Sequence, residues 1–418
     1  MQSLTERPLH HYLKKSTLYE VNIRQYTPEG TLRAFMKHLP RLKEMGVDIL
    51  WLMPIHPIGK LNRKGSLGSY YSVQDYEGFN SEFGTMDDFK EMITEAHRLG
   101  MKVIIDWVAN HAAWDNKWTQ IHPNYFKRNE AGDFLSPYDW SDVIQIDHDN
   151  EEAHQAMRDA MIFWVKEMDI DGFRADLAHL TPLRYWIKAR KQCEEIKPNL
   201  VWLAETEDVQ YFEAFDVVYA WKWMHQTEKM VREHMPVHTM LDILREQKHH
   251  YPSGALELFF TSNHDENSWN GTEYEKYGIY SNALTAFSFV YSWSLPLIYS
   301  GQEIPNERRL AFFDKDNLHW PEILSNEKLY QKLSKLRREV QVTDELHFQY
   351  FGDHIFSITR GSAEKIWLLI NFGHQEIAIE ADQFVLDLPC KDVMSEELKE
   401  IKQALRLKPG EFRIMQFQ

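Results

Sequence analysis

The chain has 418 residues, of which 63 are Asp or Glu and 47 are Lys or Arg, giving a formal net charge of −16. That balance argues against a nucleic-acid partner, because phosphate binding requires clustered positive charge. Nor does any apolar run approach the ~18 residues that a membrane helix needs. The 14 Trp, 19 Tyr and 23 Phe allow a large core and leave some rings for a binding cleft. Cys193 and Cys390 lie far apart, which suggests neither a zinc site nor a disulfide framework. Met1 to Thr17 lacks the apolar centre of a secretion signal. The expectation is a reduced, cytoplasmic protein, with secretion as the alternative if a leader has been removed.

Along the chain, short apolar runs alternate with amphipathic stretches. Residues 18–23 read as a strand, followed after Pro28-Glu29-Gly30 by a helical pattern to about Met45. Residues 48–53 are the next strand, 86–99 a helix and 101–108 a third strand, with Gly46 and Gly100 placed as helix C-terminal caps. The segment 111–149 is rich in Trp, Asn, Asp and Pro and far too long for an ordinary strand-to-helix loop, so it reads as a small excursion domain. Further strands are expected at 170–175, 200–204, 216–220, 256–261 and 296–299, and helices at 151–167, 227–247, 282–293 and 325–340. Eight strands separated by helices imply an α/β fold, a (β/α)8 TIM barrel built from residues 1–110 and 150–343. The texture then changes to alternating strands such as 354–358 and 412–415, with turns at Gly361-Ser362 and Pro409-Gly410. Residues 344–418 therefore read as a C-terminal all-β sandwich domain.

In such a barrel, reactive side chains gather at the C-terminal ends of the strands. Here the third strand runs into Asp106-Trp107-Val108-Ala109-Asn110-His111 and the fourth into Arg174-Ala175-Asp176-Leu177-Ala178-His179. The fifth ends in Glu205-Thr206-Glu207 and the seventh in Asn263-His264-Asp265-Glu266. Asp176, Glu205 and Asp265 would thus point into one mouth, with Glu207 and Glu266 as rival carboxylates. No HExxH motif or phosphate-cradling glycine loop is present, nor is a Ser–His–Asp arrangement evident. Converging carboxylates suit glycoside cleavage, where one attacks or stabilises an oxocarbenium-like centre and another protonates the leaving oxygen. Arg174 shares a strand face with Asp176 and is expected to keep it ionised and lower its pKa. Glu205 follows Trp202 and Leu203 without a neighbouring cation, so burial should raise its pKa as a general acid requires.

These residues resemble the α-amylase family of retaining glycoside hydrolases, whose four barrel motifs occur here in order. The resemblance implies that Asp176 is the nucleophile, Glu205 the general acid/base and Asp265 the carboxylate that grips the reacting sugar. It places Arg174, His111 and His264 around the same sugar, and makes Asp106 the partner that positions the arginine. Tyr71, in Tyr70-Tyr71-Ser72-Val73, matches the tyrosine that stacks on that sugar, and His179 falls where a residue often faces the acceptor. Trp107 and Trp269 are candidate sugar platforms, with core or loop packing as the competing reading for each. The family often binds calcium beside the excursion domain. Its ligand positions fall here on Asn110, Gln145 and Leu180, and leucine offers a hard cation no oxygen. The usual site is therefore expected to be lost, and no cofactor is required for the chemistry.

The implied activity is retaining hydrolysis of α-1,4-glucosidic bonds in starch-type glucans or maltooligosaccharides through a covalent glycosyl-enzyme. The alternatives are a transglycosylase or disaccharide-specific α-glucosidase of the same family and, more remotely, a non-catalytic carbohydrate- or partner-binding barrel. The sequence carries no indication of oligomeric state.

Overall fold

The computed structural model describes residues 4–340, 343, 345–361, 365–380, 389–399 and 404–417. Ser362 of the expected turn and Asp344 at the expected domain boundary lie outside them. Eight parallel strands close a barrel: β1 (Leu18–Val21), β2 (Ile49–Leu52), β3 (Lys102–Val108), β4 (Gly172–Asp176), β5 (Val201–Ala204), β6 (Val217–Tyr219), β7 (Leu256–Phe259) and β8 (Ser294–Tyr299). They stand in chain order round the ring, and β8 returns to β1 with Leu297 opposite Leu18. Most are largely apolar, as strands covered on both faces require, and Ile49–Leu52 is buried throughout, whereas Gly172–Asp176 carries Arg174 and Asp176.

Local signals set where the helices start, and so where the loops over the mouth end. Thr85 and Asp88 form a reciprocal capping box at the head of Met86–Arg98. The Asn150 side chain accepts from the amides of Glu152 and Ala153 to open Glu151–Met168. Gly46 closes Leu39–Met45 at φ 105°, a conformation that disfavours any residue with a Cβ.

Two expected helices are each a pair. The pattern expected after Gly30 and up to about Met45 is Leu32–Met36 followed by Leu39–Met45, the second opening around Pro40. The 227–247 pattern is Trp221–Glu233 and His238–His250. His234 turns left-handed at φ 56° between them, and Pro236 cannot supply a helical amide. β1 is shorter than expected, because Ile23–Tyr26 coils into one helical turn. The helix Pro8–Lys15, which the pattern did not announce, lies under the strands' N-terminal ends, where the Tyr12 hydroxyl donates to Asp48 O at 3.0 Å.

The excursion is a two-stranded antiparallel ribbon, His111–Ala113 against Val143–Gln145, with the short helix Trp118–Ile121 between. The Tyr76 hydroxyl ties it to the barrel, lying 2.9 Å from both Val108 O and His111 O. Among its described residues the C-terminal unit has a six-stranded sheet and a two-stranded ribbon, Ile377–Ile379 with Leu405–Leu407. Strand alternation divides its core. Phe356, Ile358, Leu368 and Ile414 join the barrel's hydrophobic cluster, while Ile355, Trp367, Leu369 and Met415 pack with Ile379 and Leu407 of the ribbon. Both cysteines are buried. Among the described residues no helix is long and apolar enough to cross a membrane.

Candidate active site

The strand ends deliver charged groups to the barrel axis. At its centre is Arg174, fully buried on β4. Its Nη1 donates to Asp106 on β3 at 2.9 and 3.1 Å and to Asp176 Oδ1 at 3.1 Å. Nη2 pairs with Glu205 Oε2, just after β5, at 2.9 Å as a charge contact without hydrogen-bond alignment. Nε donates to the Tyr219 hydroxyl of β6 at 3.2 Å. One guanidinium thus holds Asp106, Asp176 and Glu205 together. Glu205 Oε2 also accepts from the Leu177 amide at 2.7 Å. Asp176 Oδ2, in contrast, accepts no hydrogen bond from any described residue.

A second cluster adjoins the first. The Tyr71 hydroxyl donates to Asp106 Oδ2 at 3.0 Å and meets His264 Nε2 at 2.7 Å, and its ring stacks on the imidazole with centroids 5.5 Å apart. His264 Nε2 also pairs with Asp265 Oδ2 at 3.2 Å, while Nδ1 is 2.5 Å from Glu20 Oε1 at the end of β1. Trp51 of β2 donates its indole N–H to Asp106 at 3.2 Å. Neither Glu20 nor Tyr219 was singled out from the sequence. An acidic residue near the end of a recognised barrel strand was the available signal for Glu20, and no barrel motif drew attention to β1.

The electrostatics follow from burial opposed by pairing. Burial would push the His264 imidazolium down, but Asp265 and Glu20 overcome it and hold it well above the ordinary value. In return, against the desolvation that would raise it, the imidazolium holds Asp265 below the usual carboxylate range. Glu205 is raised by burial, with Arg174 in opposition and Asp265 in support, as expected of a proton donor. Asp176 departs from expectation. Burial, reinforced by Glu205, Asp106 and Asp265, outweighs Arg174, so its pKa is raised well above the ordinary value rather than lowered. His111 is buried on the excursion ribbon beside Trp140, and burial takes it to about 4, so it is neutral near pH 7.

The remaining candidates divide. Asp176, Glu205, Asp265, Tyr71, His111 and Trp269 all line one cavity of about 590 Å³ at the mouth. Trp269 is 51% exposed there, its ring 5.4 Å from Phe312. Trp107 is not a sugar platform, which corrects the sequence reading. It is fully buried, pointing away from the axis into a cluster with His56, Tyr76 and Phe173. His179 is exposed on the short turn Ala178–Leu180. The rival carboxylates serve structure. Glu266 pairs with buried Lys276, and Glu207 accepts from the Lys222 amide at the head of a helix. A larger cavity, about 740 Å³, lies by the strands' N-terminal ends around Arg7, Arg190 and Tyr251 and holds none of the mouth carboxylates.

The expected calcium positions hold Asn110, Gln145 and Leu180, of which only the first two carry a side-chain oxygen. The Asn110 amide nitrogen faces His111 Nδ1 at 3.4 Å, Gln145 spends its backbone carbonyl on the Lys127 amide, and Leu180 has no side-chain oxygen. Among the described residues no three His, Cys, Asp or Glu side chains gather to hold a metal.

Residues 13–142 match the family described as Alpha amylase, catalytic domain. Over 97% of its length the chain superimposes on an alpha-amylase from Lactobacillus plantarum, with a TM-score of 0.89, 29% identity and 99% of that chain covered. A noncanonic maltogenic alpha-amylase from Thermotoga neapolitana is similar at 30% identity and a TM-score of 0.88, with 97% of this chain and 99% of that one covered. The chain belongs to the α-amylase family. It is also 31% identical, over 215 residues, to an alpha-1,4-glucan:maltose-1-phosphate maltosyltransferase from Chlorobaculum tepidum. That match takes in 46% of this chain and 32% of the relative, so the chain spans about a third of the length of such curated relatives. An enzyme acting on glycosidic bonds is the class that family and fold define.

Proposed function

We propose that the protein is a retaining enzyme that hydrolyses α-1,4-glucosidic bonds in maltooligosaccharides or starch-type glucans through a glycosyl ester on Asp176. The observation that carries this reading is Arg174, bound at once to Asp176 and Glu205, with Asp176 Oδ2 unpartnered. In the first step Asp176 Oδ2 forms a bond to the anomeric carbon as the bond to the glycosidic oxygen breaks. Glu205 gives its proton to that oxygen. In the second, Glu205 takes a proton from water, the water oxygen bonds to the anomeric carbon, and the ester to Asp176 breaks. Two inversions leave the configuration unchanged.

Arg174 serves the two steps in turn. While Asp176 is charged, Nη1 stabilises it. Once the ester has neutralised Asp176, Glu205 has lost its proton and faces Nη2. Asp265, on the other side of the cavity with His264 buried behind it, suits the hydroxyls of the reacting sugar, and Tyr71 suits its apolar face. Proton NMR of fresh digests tests the mechanism. The α-anomer is expected first, and a β-anomer overturns the double displacement.

The maltosyltransferase relatives favour a second reading, in which a sugar hydroxyl replaces water in the second step. A product time course from one pure maltooligosaccharide separates the two. Hydrolysis yields only shorter chains, whereas transfer yields longer ones as well.

A further inference from the structure

The loop after β2 joins the two walls of the cleft, although none of its groups takes part in the bond-breaking steps. Its residues 60–68 are fastened on both sides. Toward the excursion, Lys64 Nζ pairs with Asp142 Oδ1 at 2.9 Å, and the Lys60 amide donates to Asp115 at 3.0 Å. Toward the loop after β8, the Ser66 amide and hydroxyl donate to Asp314 Oδ1 at 2.8 and 2.5 Å, and the Leu67 amide donates to Phe313 O at 3.0 Å. Gly65 has φ 62°, and a Cβ there would come within 2.5 Å of Phe313 Cβ. The segment is therefore pressed onto that wall. The arrangement is a strap.

Its position relative to the chemistry follows from the ring order. Glu205, which protonates the leaving oxygen, stands at the end of β5, so the aglycone departs on that side. In an eight-stranded ring β5 lies across from β1, and β2 is next to β1. The strap therefore stands across the mouth from the leaving group and leads directly into Ser69 and Tyr71, which line the cavity. That is the side on which the sugar to be transferred to Asp176 continues toward its non-reducing end. Lys64 and Asp142 both line the cavity there, a cation and an anion whose remaining hydrogen-bonding capacity suits the hydroxyls of a neutral terminal sugar. A glucan passing through the cleft would have to break one of these two anchors.

Resting on the α-glucan reading above, we propose that residues 60–68 are a fixed end-stop on the glycone side. The enzyme accordingly works from non-reducing chain ends and removes short units, rather than cutting within chains.

Maltoheptaose labelled at its reducing end, used free and with its non-reducing end blocked by an ethylidene acetal, provides the test. The free substrate is expected to lose one short product from its non-reducing end, and the blocked one to react about 100-fold more slowly. Lys64→Ala frees one anchor and Asp314→Ala the other, and each is expected to raise the blocked-to-free rate ratio about tenfold. Thermal melting identifies any variant that fails to fold. Equal rates on both substrates in the wild type overturn the end-stop, and a ratio unmoved in both folded variants overturns the strap as its cause. If neither substrate is cleaved by the wild type, the α-glucan reading fails and the end-stop with it.

Discussion

Glu20→Gln isolates what one buried charge does for His264. Glu20 is fully buried, and its Oε1 lies 2.5 Å from His264 Nδ1. Glutamine keeps an oxygen there, so the ring stays oriented and only the charge is lost. With charge centres about 4 Å apart and an effective dielectric of about 20, the pair is worth about 4 kcal/mol, and relaxation reduces this to about 2–4 kcal/mol. That corresponds to a fall of about 1.5–3 pH units in the pKa of His264. The group is held well above its ordinary value in the folded enzyme, so it is the imidazolium that donates through Nε2 at neutral pH. The groups that face it are Glu20, Asp265, Tyr71 and Trp51, with Asp106 and Arg174 behind them. Glu20 is thus a positioning residue acting through His264. In Glu20→Gln, the alkaline limb of kcat/KM is expected to move toward neutrality while activity on the acid side is largely kept. Glu20→Ala, which removes the oxygen too, is expected to lower kcat/KM at every pH. If the Glu20→Gln profile superimposes on that of the wild type, the charge argument is refuted.

Asp176→Asn is expected to lower kcat by about a thousandfold or more, with a melting temperature near that of the wild type, because a neutral amide relieves a buried, crowded carboxyl. Calorimetry checks the second half. Asp171, at the opposite end of the barrel, is held at about 2 because His97, Lys102, Lys197 and the Val103 amide outweigh its burial. Compared with an unfolded value of about 3.9, it contributes about 2–3 kcal/mol, fully present above pH 4 and lost as the pH falls through 2. Asp171→Asn is expected to remove that amount at neutral pH and to flatten the acid limb of denaturant-measured stability between pH 4 and 2. Dialysis against a chelator is expected to leave kcat/KM and melting temperature unchanged, given the poor donor set at Asn110, Gln145 and Leu180. A loss restored by calcium would overturn that expectation.

The barrel was legible because its strands are short apolar blocks between helices whose caps are written in single residues, such as Gly46 and Asn150. The broken helices were less so. Hydrophobic periodicity continues through Pro40 and across His234 to Pro236, and only the backbone constraint interrupts it. Strand alternation puts Arg174 and Asp176 on one face of β4. The same alternation on β3 turns Trp107 outward once Asp106 points to the axis, and there the ring packs with His56, Tyr76 and Phe173. Trp269 has no such parity argument, because it sits on the turn Glu266–Asn270, and only the packing of Phe312 and Phe313 shows that its ring faces the cleft.

The direction of the Asp176 pKa was misread for a reason that bears on mechanism. In sequence its one charged neighbour is Arg174. In space five carboxyl groups, Glu20, Asp106, Asp176, Glu205 and Asp265, share two cations, Arg174 and His264. Each cation is already committed: His264 lies between Glu20 and Asp265, and Arg174 serves the other three. Full ionisation would leave the cluster with excess negative charge in a largely desolvated site, a state that burial opposes. A proton held among Asp106, Asp176 and Glu205 removes part of that excess. Asp106 receives two bonds from Arg174 and one each from Tyr71 and Trp51, all of which favour its anion. Burial nevertheless raises Asp106 too, against those bonds, so the proton belongs to the three coupled carboxyls together, Asp176 having the fewest donors of its own. On the double-displacement reading proposed above, a glycosidic oxygen arriving beside Glu205 would draw it there and leave Asp176 charged for attack, so that substrate binding would itself assign the acid and the nucleophile.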